Sequence, residues 1–578
     1  MGSKTPIWIN IVSQLGEIYW QNLYKGLVVE LIRRLWRKWR GRKDRQWPRF
    51  DDASFSDLQD YLESEELTGS LQDTERKTKQ AFGNSSDVIS RYLRFGANPE
   101  VQLLIMHLDG MVDSIFLTDG VLRPVSEGSF YAARHAEATP PEAEAAYALL
   151  KQQLIQISAV QEATSLEKTL EYIGRGFAVL FVQGVPQGLA CEVRGWAERD
   201  ISEPGTEVSV RGSRQGFVEN RRINTSMLRR QIVSPLLWLE DLQVGAVTKT
   251  VVTIAHIKGI AEQGVVDEVR RRIHSIEVDA ILESGYIEEY IEDAPYSPFP
   301  TMLRTERPDK VAAALLEGKV AIITDGTPFV LVVPATFTNF LVAAEDYYER
   351  YLTGSFIRFI RLVAFFIALA LPSTYVAITT FHQEMLPTPL ILSIAAQREG
   401  VPFVAIIEAL FLEFSFELLR EAGIRLPKVI GPAISIVGAL ILGEAAVRAG
   451  LVSSALVIVV AATAIASFIS PIYSMAISVH LLRFPMILLA GSLGLFGVIM
   501  GLSAILIHLS SLRSFGVPYL EPIAPAIFSE WKDAFIRIPL WMMDTRPRST
   551  VKKEYIRQDP KQKPQPPKKS PGDGSSEA

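Results

Sequence analysis

Three glutamates, Glu408, Glu413 and Glu417, stand in an otherwise apolar stretch of the chain. A charge at the centre of a bilayer costs on the order of 3 kcal/mol on insertion scales, so such carboxylates are tolerable only where they face protein, water or the interface. Glu413 and Glu417 are four residues apart and share a helix face. Glu408 lies roughly 140° from Glu413 at about 100° per residue, so the three do not form one stripe. Farther on, Glu444 and Arg448 are the sole formal charges between Ile430 and Leu482. They are spaced to pair on one helix, yet a ring of Glu444 from several copies would attract cations. Gly431, Ser435, Gly438 and Leu442 fall on one face of the same segment, small and weakly polar apart from Leu442. Ser435, Gly438, Leu442 and Glu444 are thus compatible with a pore lining and are its candidate residues, with close helix packing and a Glu444–Arg448 pair as the competing reading.

Other chemistries find little support. Cys191 is the one cysteine, which forbids an internal disulfide and a multi-thiolate zinc site; it reads as a small buried residue. The 7 histidines lack metal-ligand spacing and no His-Glu-x-x-His helix occurs, so no metal and no cofactor are expected. Carboxylate pairs such as Glu289 with Asp293, or Glu345 with Asp346, sit in charged helix-like contexts that read as solvated faces. There is no phosphate loop, no GxGxxG after a strand and no G-x-S-x-G elbow. The chain reads as a non-enzyme.

The elements that must position these residues divide sharply. The chain has 578 residues, 48% apolar and 21% charged, with a net charge of −5 that gives no general argument for nucleic acid. Its mean hydropathy of +0.17 averages two unlike halves. The fold class expected is α/β cytoplasmic domains in two subdomains, 73–165 and 166–350, followed by a polytopic α-helical membrane domain at 351–512. Apolar runs at 357–380, 429–447, 452–471 and 484–508 are long enough to span a hydrocarbon core of about 30 Å. A fifth segment, 389–419, is interrupted by Gln397-Arg398-Glu399-Gly400 and Pro402 and reads as a broken or partly interfacial helix pair. Residues 7–32 are too long and amphipathic for a secretory signal, and with a long polar region ahead of the first span a cytoplasmic N-terminal region is expected. The basic tail also belongs there by the positive-inside rule, so the crossings should be even in number.

Residues 1–50 hold eleven Lys/Arg against three acids, with apolar residues at helical spacing and an Arg33-Arg34-Leu35-Trp36-Arg37-Lys38-Trp39-Arg40 cluster, which suits a membrane-surface helix. An acidic linker, 51–72, follows. The region 513–578 reads as a basic, largely disordered tail. In the soluble half, helices are expected near 76–94, 141–160, 262–274 and 309–317. Strands are expected at 102–108, 112–118, 177–183, 187–193, 247–256, 319–324 and 328–333, the last two joined at Asp325-Gly326 as a hairpin.

Five segments carry a resemblance: Glu203-Pro-Gly-Thr-Glu-Val-Ser-Val-Arg-Gly-Ser-Arg-Gln-Gly-Phe-Val-Glu219, Thr305-Glu-Arg-Pro-Asp309, Arg420-Glu-Ala-Gly-Ile-Arg-Leu-Pro427, Ile430-Gly-Pro-Ala-Ile-Ser-Ile-Val-Gly438 and Ser514-Phe-Gly-Val-Pro-Tyr519. In this order, over about residues 75 to 525, the chain resembles the A-subunit family of spore-germination receptors. The family pattern usually has Pro where this chain has Ser213 and Glu where it has Gln215. The resemblance implies a subunit of a nutrient germinant receptor in the spore inner membrane, a homo-oligomer working with a transporter-like B subunit and a lipoprotein C subunit, and conducting ions when the nutrient is sensed. A paralogous branch acts with the dipicolinate channel instead. A secondary transporter is the alternative from another class, although 389–419 lacks an evident repeated counterpart. Arg211, Arg214, Glu219, Glu306, Arg307 and Asp309 in the motifs, with Arg229 and Arg230 nearby, are candidate subunit contacts. A solvated or salt-bridged surface is their other reading.

Overall fold

The computed structural model describes residues 54–95, 101–134, 143–195, 204, 207, 211–425, 443–559 and 562–565. The basic N-terminal region, 1–50, lies outside them. Helix α1 spans Phe55–Ser64. Helix α2, Leu71–Ala81, leads into strands β1, Val88–Phe95, and β2, Val101–Leu108. Helices α3, Arg123–Arg134, and α4, Ala143–Leu149, are followed by β3, Val160–Ala163, and α5, Leu166–Gly174. A hairpin of β4, Ala178–Val182, and β5, Gly188–Cys191, completes the first unit. Its sheet is ordered β1-β2-β4-β5-β3, with every neighbouring pair antiparallel.

From α2 onward, the second unit repeats the order of the first unit's main helices and strands. Helix α6 is Arg221–Gln231, β6 Leu237–Val244 and β7 Thr250–Ile257. Helices α7, Gln263–His274, and α8, Ser284–Ile291, precede β8, Leu303–Thr305, and α9, Pro308–Leu316. The closing hairpin is β9, Val320–Thr324, with β10, Val330–Val333. The order β6-β7-β9-β10-β8 is the same and again antiparallel throughout. Positive-φ glycines recur at equivalent turns, Gly110 with Gly259, Gly176 with Gly318 and Gly184 with Gly326. The α/β half is thus built from two copies of one unit.

Each sheet is covered on both faces. Val252, Ile254, Ile322 and Leu331 pack on Val265, Val266, Val269 and Ile287 of α7 and α8. The opposite face meets α6 and α9. Central strands buried on both faces lose the alternation of half-exposed strands, and β4 and β9 are buried at all 5 positions.

Two expected elements change type. The helix expected near 76–94 ends where Gly83 and Asn84 adopt positive φ, and residues 88–95 form β1. The strand expected at 112–118 is a short helix, Ser114–Leu117, because Asp113 accepts the Ile115 and Phe116 amides and caps it.

The C-terminal region is mostly helical. Helix α10 is Tyr351–Phe381, α11 Thr388–Arg398, α12 Ala405–Arg425, α13 Ser454–Phe468 and α14 Tyr473–Ser511. The interruption expected within 389–419 falls between α11 and α12. The expected span 429–447 lies largely outside the described residues. Helices α10 and α14 are long and apolar enough to cross a membrane.

The single span expected at 484–508 is corrected. At Gly494, φ 63° and ψ −144° break α14 into two arms. A Cβ on Gly497 would collide with the Leu489 carbonyl and one on Gly501 with the Met486 sulfur, so the arms run antiparallel in close contact. Consistently, Ser478 of the first arm bonds the Pro298 carbonyl and His508 of the second bonds Ser297 Oγ at 2.9 Å. Glycine at 494 supplies a backbone conformation that other residues rarely adopt.

The tail is also corrected, for it is packed rather than disordered through Asp559. Tyr519 is buried against Phe337 and Phe340, and Phe515 joins the second unit's core.

Candidate functional site

The three glutamates of α12 each find a different partner. Arg483, on the first arm of α14, donates from Nη1 to Glu413 Oε2 at 2.6 Å, and both side chains are 1% exposed. Arg483 Nε donates to the Ala368 carbonyl of α10 at 2.9 Å. That carbonyl is available because Pro372, four residues on, has no N–H to offer it. Glu413 Oε1 and Arg483 Nη2 have no partner among the described residues. Glu417, one turn later, bonds His480 Nδ1 and Arg420 Nη2, the latter at 2.6 Å. Glu408 faces elsewhere, accepting the Ser453 amide at 3.0 Å and pairing with Arg398 at 3.4 Å. It thereby sits at the N-terminus of α13, where free amides and the helix dipole favour a carboxylate.

A second cluster occupies the foot of α10. Asp346 is 1% exposed and takes a bidentate pair from Arg361 at 2.6 and 2.8 Å, plus Arg358 Nε at 3.1 Å. Arg358 Nη1 reaches Asp533 Oδ1 of the tail at 2.9 Å, and Tyr347 donates to the same carboxylate at 2.9 Å. Arg537 donates to the Glu349 and Tyr347 carbonyls. Burial pushes the Tyr347 phenol well above its ordinary pKa, so it stays a donor.

The motif residues gather beside this cluster. Arg307 and Asp309 form a pair at 2.7 Å, and Tyr348, just before α10, donates to Asp309 at 2.6 Å. Burial pushes the Asp309 carboxyl up, but the bonds from Arg307 and Tyr348 outweigh it and hold the pKa below the usual aspartate value. The Glu306 carbonyl accepts the Phe217 amide at 2.7 Å, and the Glu219 carbonyl accepts the Gly326 amide at 2.8 Å. Arg211 lies 3.6 Å from Glu349, with both side chains well exposed. Arg214 is likewise engaged in an interaction. Ser514 bridges the Thr301 carbonyl and the Ala335 amide. Three of the five motifs therefore converge where the second α/β unit meets the helices. Arg229 is 1% exposed and pairs with Asp87 at 2.9 Å, joining the two units.

Of the candidate pore residues, Ser435, Gly438 and Leu442 lie outside the described residues. Glu444 pairs with Arg448 at 2.6 Å on an exposed helix face. Sequence reasoning missed Arg483; the available signal was a lone arginine within a long apolar run. Cys191 is buried, with its thiol pushed up to about 12 by burial, and no cluster able to hold a metal occurs among the described residues.

A family model described as Bacillus/Clostridium GerA spore germination protein matches residues 76–549. "Spore germination protein KA" of Bacillus subtilis (strain 168) is 45% identical over 500 residues, 86% of this chain and 90% of its own length. "Uncharacterized membrane protein YfkQ" of the same organism is 46% identical over 480 residues, 82% and 91% of the two chains. "Spore germination protein GerLA" of Bacillus cereus is 39% identical over 482 residues, 83% and 96%. Among solved structures, the N-terminal domain of the A subunit of the Bacillus megaterium spore germinant receptor GerK3 is 34% identical, covering 47% of this chain and 97% of that chain, with a TM-score of 0.37.

Proposed function

The chain belongs to the Bacillus/Clostridium GerA spore germination protein family, and from that premise we propose that it is a non-enzymatic A subunit of a nutrient germinant receptor in the spore inner membrane, forming or gating a cation-conducting pore. It acts as a homo-oligomer with a transporter-like B subunit and a lipoprotein C subunit.

The observation that carries the pore reading is the Glu413–Arg483 pair, a fully buried charge pair between apolar helices with one oxygen and one nitrogen left unpartnered. Ionisable groups at membrane depth are costly and mark ion or proton pathways. The length of α14 supports membrane embedding. Straight, its 39 residues would reach about 58 Å, nearly twice a hydrocarbon core. Folded at Gly494, its arms are roughly 31 and 26 Å long, each matched to one crossing. The packing of both Phe515 and Ser514 on the soluble half supports an even number of crossings, with the soluble half and the tail in the spore core.

The test is flux. The purified full chain in liposomes should give passive cation leak, and Glu413→Gln should change the leak without changing insertion. Spores carrying Glu444→Gln or Leu442→Ala should show altered ion release. Saturable, coupled solute exchange would instead identify a transporter. Unchanged flux in all three variants would remove these residues from the pathway.

A further inference from the structure

At the foot of α10, a cavity of about 250 Å³ opens between the helix and the tail. Its walls are mainly apolar, from Leu341, Phe359, Leu362, Phe535 and Ile536, and Arg358 is the charged residue among them. Arg358 is buried; its Nε is bonded to Asp346 and its Nη1 to Asp533, while Nη2 has no partner among the described residues. Arg537 is buried next to it, donates to backbone carbonyls alone and leaves Nε unpartnered.

The cluster carries an unbalanced charge. Arg358, Arg361 and Arg537 face Asp346 and Asp533, three cations against two carboxylates. Glu317, Lys319, Glu521 and Glu530 line a separate pocket that shares Asp533 with the cluster. Burial, then the nearby Arg358, pulls Arg537 below its ordinary pKa, as expected for an excess buried cation. A buried charge without a counter-charge is unfavourable, so the site is complementary to an anion.

Two of the lining residues, Phe359 and Ile536, are exposed apolar side chains, and others lie near them in sequence on α10 and the tail. Leu352, Phe356 and Phe359 of α10 and Ile536 and Leu540 of the tail are each more than half exposed. Cations below and apolar surface above are the chemistry of a membrane interface next to anionic lipid.

We propose that this cavity binds an anionic phospholipid of the surrounding bilayer, its phosphate neutralising the excess charge of Arg358 and Arg537 and its acyl chains lying on Phe359, Leu362 and Ile536. Bound lipid links α10 to the tail at the point where the soluble half joins the helices. The inference rests on the membrane reading above.

The test uses the full chain in detergent, offered equal amounts of phosphatidylglycerol and phosphatidylcholine and read by native mass spectrometry. Phosphatidylglycerol adducts should be favoured about tenfold, which corresponds to ~1.4 kcal/mol. Leu362→Trp, which fills the cavity and keeps the charges, and Arg537→Gln, which removes the excess charge, should each bring the ratio near one. A preference retained in both variants would overturn the site. Displacement of the lipid by inorganic phosphate would assign a free-anion site instead and overturn the lipid source. Self-association abolished by Leu362→Trp, with no lipid preference in the parent chain, would give the cavity to a second copy and overturn the proposal. Alkaline carbonate extraction separates the two readings. Protein that stays with membranes but shows no lipid preference sinks this site alone, whereas protein released by carbonate sinks the membrane reading itself.

Discussion

Arg483 donates its Nε–H to the main-chain carbonyl of Ala368, 2.9 Å away on another helix. Pro372 frees that carbonyl, so a helix-breaking residue, a buried cation and the carboxylate of Glu413 form one arrangement across three helices. Buried pairs of this kind tie elements together more than they stabilise them, because desolvation offsets most of the attraction.

Removing one partner should be worse than removing both. Glu413→Leu or Arg483→Met alone strands a buried charge and should cost about 3–5 kcal/mol. The double variant should recover most of that loss. Thermal unfolding in detergent reads the difference; additive losses would mean the charges do not act as a pair.

Pro372→Ala restores the amide that the Ala368 carbonyl lacks. In an ordinary helix interior the change would gain about 3 kcal/mol. Here the new N–H competes with Arg483, so the gain should fall short by about 1 kcal/mol, and the shortfall should vanish in the Arg483→Met background. A double-mutant cycle with no coupling would refute the relationship.

The folded form of α14 predicts a cross-link. In a straight helix, positions 486 and 501 would lie roughly 22 Å apart, yet Met486 packs against Gly501 across the hairpin. Met486→Cys with Gly501→Cys should form a disulfide under mild oxidation, against a low background because the native Cys191 is buried. Because Gly501 tolerates little bulk, Leu489→Cys with Val498→Cys serves as a second pair. Failure of both pairs would contradict the antiparallel arms.

Asp309 gives a pH signature. A carboxyl whose folded pKa is depressed contributes stability above its unfolded value, near 3.9, and loses it as pH falls through the folded value. Melting temperature should therefore drop on acidification below about pH 4. Asp309→Asn should be less stable at neutral pH and show a shallower acid slope; parallel slopes would exclude Asp309 as a source of the effect.

Much of the architecture is legible in local pattern. The β9–β10 hairpin follows from two apolar runs around Asp325-Gly326, and the break between α11 and α12 from Gly400 and Pro402, because turn chemistry acts over a few residues. The site was half legible. Three glutamates in an apolar stretch demanded partners, but nothing local named Arg483, His480 or the Ser453 amide, which lie 70, 63 and 45 residues away from Glu413, Glu417 and Glu408.

By itself, the sequence determined the division into a charged α/β half and an apolar helical half, the family, and the cost that Glu408, Glu413 and Glu417 must offset. Those follow from composition, short-range periodicity and ordered motifs. Tertiary structure alone decided that the α/β half is one unit repeated, that α14 turns back at Gly494, that the tail packs through Tyr519 on Phe340 and through Asp533 on Arg358, and that Arg307, Asp309 and Tyr348 meet where the second α/β unit joins the helices. The physical reason is that long-range pairing depends on which surfaces remain after local elements form, and similar apolar runs are compatible with several such pairings.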